Sequence, residues 1–219
     1  MKKWWIVAIV LFTMVFILSG CGASSTIEGR VFDIEGAVQY RRLLDADLHS
    51  FAFEYQEDIK GTVTTLEVWQ NGICTETYML GQGRYAQNET EEYYFIMERV
   101  RDEAHNWVGM ELQSLSYASD GKMAAHALHA PVKLHFPSCI KSYAYGFVDD
   151  KLKVKPGNTY ILGFWDMAND GHTDISIDSL NDRNSQEVIQ KSEYIIILKE
   201  QLFNTVEEAE ALSKLYSEK

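Results

Sequence analysis

The chain has 219 residues, with 32 acidic and 20 basic side chains and a formal net charge of −12 at neutral pH. That length fits one generous domain or two small ones, and it is enough to bury a real core. The acidic excess excludes a dominant phosphate-binding face, so nucleic acid is not an expected partner, and it argues equally against electrostatic docking on anionic lipid.

Met1-Lys2-Lys3 is a charged start, Trp4 to Leu18 is apolar, and Ser19-Gly20 supplies small residues at a cut site. These are the three parts of a secretory signal. The apolar run would span about 22 Å as a helix. A permanent span needs about twenty residues, so removal of residues 1–20 fits better than a transmembrane anchor. Leu18-Ser19-Gly20-Cys21 resembles the lipobox of bacterial lipoproteins, a likeness confined to the first two dozen residues. The resemblance implies thioether attachment of diacylglycerol to Cys21, cleavage before it, and a protein held by lipid on the extracytoplasmic side of the cell membrane. One acyl chain holds weakly, whereas two or more give lasting attachment at ~0.8 kcal/mol per buried CH₂. The small, polar run after Cys21 predicts a flexible tether over 21–30. Within it, Ile27-Glu28-Gly29-Arg30 matches a protease tag site by coincidence. A single domain is expected over 31–219.

Between Glu35 and Leu48, Ala37, Tyr40, Leu44 and Leu48 recur at helical spacing and predict a short amphipathic helix. The period then changes to two at Phe51, Phe53 and Tyr55, as in a half-buried strand. Asn71-Gly72 between strand-like runs predicts a hairpin with a type I′ turn. Pairing Gln70 with Ile73 sets Trp69 against Cys74, Val68 against Thr75 and Glu67 against Glu76. Leu66, Val68, Ile73 and Met79 would then form the core face, and Glu67, Trp69, Cys74, Glu76 and Tyr78 an outward one, where water screens the facing glutamates.

Further strand-like runs lie at Tyr93–Val100, Trp107–Leu115, Met123–His129, Val132–Phe136, Ser142–Val148, Tyr160–Met167 and Tyr194–Lys199. In the second of these Val108, Met110 and Leu112 alternate, with Trp107 on the opposite side. Turn chemistry such as Asp120-Gly121 and Pro156-Gly157 separates the runs. The expected fold is mainly β, an antiparallel sandwich or barrel-like domain. No repeated βαβ unit suggests a doubly wound nucleotide-binding fold. Near the end, Thr205 can cap a helix with Glu208 three residues on, and Val206, Ala209, Leu212 and Tyr216 lie along one stripe.

Chemistry-bearing residues are few. With Cys21 lipidated, Cys74 and Cys139 form an even pair in an exported chain, so a disulfide or two separate thiols both fit. His126, His129 and His135 are close in sequence, yet strand parity and distance keep them from sharing a metal. Asp166, Asp170 and Asp174 with Gly171 resemble a calcium loop only in part. Ala168 stands at the third ligand position and Ile177 at the twelfth, so no metal is expected there. No nucleophile elbow, phosphate loop or paired catalytic carboxylates are found.

The expectation is therefore a non-catalytic binding module without cofactor, whose partner is a protein or envelope component. Two rivals are a small-ligand receptor or envelope enzyme using Trp69, Tyr78, Asp166, Asp170 and Asp174, and a plain structural spacer. Metabolic labelling with a fatty acid tests the anchor. Wild type should carry label and Cys21→Ala should not; equal labelling of the two would end the lipoprotein reading.

Overall fold

In the computed structural model, residues 24–30, 46–56, 58–84, 89–118, 131–136, 140, 142–168, 175–182 and 185–217 are described. In chain order they form β1 (Thr26–Arg30), β2 (Ala46–Tyr55), β3 (Gly61–Gln70), β4 (Ile73–Arg84), β5 (Glu89–Arg101), β6 (Trp107–Ala118), β7 (Val132–His135), β8 (Ser142–Phe147), β9 (Lys151–Lys153) and β10 (Thr159–Ala168). Then come the helices α1 (Ile177–Asn181) and α2 (Ser185–Lys191), the strand β11 (Tyr194–Phe203) and the helix α3 (Val206–Ser217). The strands make two antiparallel sheets, neither closed into a barrel. One has six strands ordered β7-β6-β5-β2-β1-β9, the other five ordered β4-β3-β11-β10-β8.

Period-two patterning explains the core. Phe51, Phe53, Phe95, Met97, Met110 and Leu112 of the larger sheet share one buried cluster with Leu66, Val68, Trp165, Ile196 and Leu198 of the smaller. Full burial of each such side chain contributes about 1.5–3 kcal/mol. The other face of the smaller sheet carries Ile161, Phe164, Ile195 and Ile197, which α1 and α2 cover with Leu180 and Ile189. Strand β11 is thus apolar on both faces, which is why it reads as an unbroken Ile-Ile-Ile-Leu run. The helix α3 starts where expected, with Thr205 Oγ1 accepting from Glu208 N at 3.3 Å. It buries Ala209 and Ser213 against the smaller sheet.

Four expectations need correction. Residues 21–30 are not all tether: Thr26–Arg30 form β1, paired with β2 on one side and β9 on the other, with Ile27 fully buried. Five mostly polar residues carry too little periodicity to announce a strand that is zipped on both edges. The helix drawn over 35–48 cannot reach Leu48, because Ala46, Asp47 and Leu48 already belong to β2 and pair with Glu98, Met97 and Ile96. The rest of that segment, and the run Met123–His129, lie outside the described residues.

The hairpin turn is as expected, with Asn71 and Gly72 both at positive φ (49° and 77°). Its register holds for Gln70↔Ile73 and Trp69↔Cys74, then shifts at a bulge, so that Val68 faces Glu76, Glu67 faces Thr77 and Leu66 faces Tyr78. One extra residue reverses parity beyond it. Tyr78 therefore leaves Trp69's face for the core side, Met79 turns to Ser213 of α3, and Ile73 is exposed at the tip. A second bulge, where Val100 faces Gly109 and Arg101 faces Trp107, brings Trp107 onto the Met110 side and into the core.

Close packing fixes β1. A Cβ on Gly29 would run into the carbonyl oxygen of Val148. Backbone cannot step aside as a flexible side chain can, so Gly29→Ala should cost about 1–3 kcal/mol or more in urea unfolding. An unchanged midpoint would show that β1 does not pack there.

Candidate functional site

The five-stranded sheet ends at β8, whose alternation sends Tyr143, Tyr145 and Phe147 to one side. Opposite stand His49 and Asp47 of β2, Arg99 of β5 and Trp107 at the start of β6. Between them runs a cleft walled by rings. His49 stacks on Phe147 with centroids 3.4 Å apart, and Phe147 meets the core Trp165 edge-on at 5.1 Å. Tyr143 and Tyr145 lie nearly parallel at 6.1 Å, and Tyr143 meets Trp107 edge-on at 4.7 Å. Offset and edge-on geometries suit the ring quadrupole. Tyr145 remains 50% exposed and Tyr143 36% exposed, so the row opens outward.

Arg99 organises the upper part. Its guanidinium lies 5.5 Å from the Trp107 ring centroid and 5.6 Å from that of Tyr143, within cation–π range. It pairs with Asp47, and Nη2 donates to the Tyr143 hydroxyl at 3.3 Å. Arg99 and Asp47 are only 13% and 19% exposed, so the pair is held in a poorly screened setting. The hydroxyl end of Tyr143 is thereby fixed while part of its face stays open.

A cavity of about 330 Å³ continues the cleft, lined by Arg99, Arg101, His105, Asn106, Trp107 and Tyr143 together with Ile140. Its rim is a braced turn. Asp102 accepts from Asn106 N at 2.8 Å and from Asn106 Nδ2 at 2.9 Å, and those two bonds hold its carboxyl below the ordinary range. His105 stands at φ 63°, in the left-handed region that His, Asn and Asp enter more readily than most residues with side chains. Below, a second hollow of about 210 Å³ is lined by Gly29, His49, Ser50, Phe51, Phe147 and Asp149, with Val148.

A larger groove, about 690 Å³, lies across the molecule between β4, β7 and the end of α3, with Glu76, Tyr78, Lys133 and Tyr216 among its walls. Its chemistry is less suited to recognition. Burial first, then the Glu76 carboxylate, push the Tyr78 hydroxyl up to about 12, and that hydroxyl is committed to donating to Glu76.

The residues proposed from sequence do not come together. Trp69 sits half-buried on the outer face of the smaller sheet, against the α1–α2 cluster, and donates from Nε1 to Glu67 at 2.8 Å. Glu67 also pairs with Lys199, so the facing Glu67 and Glu76 of the unshifted register do not exist. Tyr78 is on the opposite face from Trp69. Asp166 is 2% exposed inside β10 and is no loop ligand. Asp170 and Asp174 lie outside the described residues, as do Cys21, His126, His129 and Cys139. Among the described residues Cys74 is an exposed, free thiol with Sγ 3.5 Å from Glu76 O; its expected partner Cys139 is not among them. His135 is exposed on β7. Among the described residues no three His, Cys, Asp or Glu side chains converge as a metal site would need.

Sequence reading missed Arg99, Asp47, His49, Tyr143 and Tyr145. The Tyr143-Tyr145-Phe147 alternation was the available signal, but nothing along the chain tells which residues of the other sheet it faces.

Asp166 makes a test of the fold around it. Burial pushes its carboxyl up to about 6, against a partial pull downward from Ser192 and the Met167 backbone. Between about pH 4 and 6 the folded chain holds a proton that the unfolded chain has released, so stability falls as pH rises through that window and is level above it. Asp166→Asn removes the titration. The stability of wild type relative to this variant should drop by up to about 3 kcal/mol from pH 4 to pH 7 in chemical denaturation; a constant difference would contradict the burial of an uncompensated carboxyl.

The chain was compared with protein-family models, curated proteins and solved structures, and none of them matches it.

Proposed function

We propose that this protein is a lipid-anchored, extracytoplasmic binding module with a sandwich-like β fold, and that it engages a protein or envelope component through the aromatic cleft beside β8. The observation that carries this reading is the row Tyr145, Tyr143 and Trp107 backed by the shielded Arg99–Asp47 pair. Tyrosine and tryptophan faces give large contact area with few rotatable bonds, and a fixed cation behind them orients what binds. The cleft offers rings, a guanidinium and amide groups.

The cavity of about 330 Å³ at the head of the cleft supports a second reading, a receptor for a small ligand such as a sugar or a short peptide. Its size lies at the lower edge of small-molecule sites, about 300–1,000 Å³. Either ligand class would meet the same rings.

Two measurements separate these readings from a structural spacer. A photo-reactive residue in place of Tyr145 should give one discrete adduct in living cells, and the same residue in place of exposed Ile73 should give none. In a thermal-shift screen of envelope sugars, peptidoglycan fragments and peptides, a ligand at 100 times its Kd should add ~2.7 kcal/mol. Tyr145→Ala should abolish that shift. Equal adducts from both positions, or a shift indifferent to Tyr145→Ala, would contradict a role for the cleft.

A further inference from the structure

The fold begins almost at the anchor. Ser25 is buried and bonded three ways: Gln56 N donates to Ser25 Oγ at 2.8 Å, Ser25 Oγ donates to Asp58 at 3.2 Å, and Val154 N donates to Ser25 O at 2.9 Å. Thr26 then enters β1 between Glu54 and Lys153. Only Gly22, Ala23 and Ser24 separate Ser25 from Cys21. Whatever their conformation, four peptide steps of ~3.8 Å reach no farther than about 15 Å.

We infer that one end of the domain is held against the lipid surface and that the aromatic cleft is presented away from it; this rests on lipidation of Cys21. The membrane-facing end is set by what surrounds Ser25. Gln56 to Lys60 close β2 into β3, and Lys60 N donates to Phe203 O at 2.9 Å. The turn Lys155 to Asn158 is tied to the same place, because Gly157 N donates to Leu202 O at 2.8 Å. Exposed Asp58, Lys155, Asn158 and Asn204 therefore share one rim. The rim carries both signs of charge, so the short connection, not electrostatic attraction, fixes which end meets the headgroups.

Strand directions put the rest far off. The strand β3 leaves this rim at Gly61 and ends at Gln70, about 30 Å away at ~3.3 Å per residue, where the Asn71-Gly72 turn and Ile73 stand. The strand β5 starts at Glu89 opposite Tyr55, close to Ser25, and ends at Arg101 opposite Trp107, about 40 Å along. The head of the cleft thus faces outward.

The test uses the full lipidated protein, purified from membranes and reconstituted into phosphatidylcholine–phosphatidylglycerol vesicles with a nitroxide-headgroup lipid. Cys74 and Cys139 are replaced by serine, and a fluorophore is attached at Asn204→Cys or at Ile73→Cys. Quenching should be several-fold stronger at 204 than at 73. Lys155→Cys and Tyr145→Cys form a second pair with the same expectation, should either first variant fold poorly. Insertion of ten Gly and Ser residues after Gly22 should at least halve the contrast. Equal quenching at the two ends, or contrast untouched by the insertion, would overturn the orientation. Mass analysis of the same sample separates the two levels: absence of lipid on Cys21 would overturn the anchor and the orientation together, whereas lipidated protein without contrast overturns the orientation alone.

Discussion

Strand β1 is the constraint on which the other arrangements depend. It fills the place between β2 and β9, and its Ile27 completes the core beside Phe53. Gly29 is bare because the Val148 carbonyl occupies the space a side chain would need. Val148 in turn donates its N–H to Leu162 O of the other sheet at 2.9 Å. A five-residue segment therefore ties the edge of one sheet to the edge of the other. The lower hollow of the cleft, with His49 and Phe147, is built directly on that junction. Were β1 to detach, β9 would lose its strand partner and Val148 the surface it packs against.

The two ends of the molecule acquire different characters from this arrangement. Around Ser25 the chain is dense with hydrogen bonds, which leave this end of the domain little local freedom. Toward the other end, apolar packing gives way to rings that are partly open, held by polar contacts instead of full burial. Tyr143 is gripped at its hydroxyl and at one edge, and Asp102 and Asn106 brace the neighbouring turn. Such groups have little rotational freedom left to lose, which lowers the entropic cost of binding. Polar groups between the two sheets are satisfied more cheaply. Glu200, fully buried, accepts from Thr64 Oγ1 at 2.6 Å and from the Tyr55 hydroxyl at 3.5 Å. Asp166 is the contrasting case, a carboxyl whose burial is only partly offset.

Much of the strand framework was legible from alternation. Phe51-Phe53-Tyr55 and the Met110-Leu112 pair announce strands because each buries one face, whereas the Ile-rich β11 shows itself as an unbroken apolar run buried on both. The Asn71-Gly72 turn was legible because few residue pairs accept two positive φ angles in succession. The faces were harder to read. Bulges at Val68/Trp69 and Val100/Arg101 each insert one residue, and no periodicity survives that shift. Tyr78, Met79 and Trp107 were consequently assigned to the wrong sides. Short elements escaped as well: β1 and β9 are held by pairing with distant strands, and α1 and α2 by packing on the smaller sheet. Asn181, for example, bonds both Ile161 N and Ile161 O. The cleft needed the two sheets to be set face to face, which is tertiary information; sequence showed the tyrosines but not Arg99, Asp47 or His49 across from them.

Hydrogen exchange at the amides of Ile27, Glu28 and Gly29 in the intact protein tests this picture most directly. With β1 paired on both sides and packed on Val148, these amides should exchange as slowly as those of Ile196 and Leu198, through opening of the whole domain. Exchange near the rate of an unstructured chain would mean that β1 is a tether after all. The domain would then begin well beyond Ser25, and neither the proposed orientation on the membrane nor the floor of the cleft would stand.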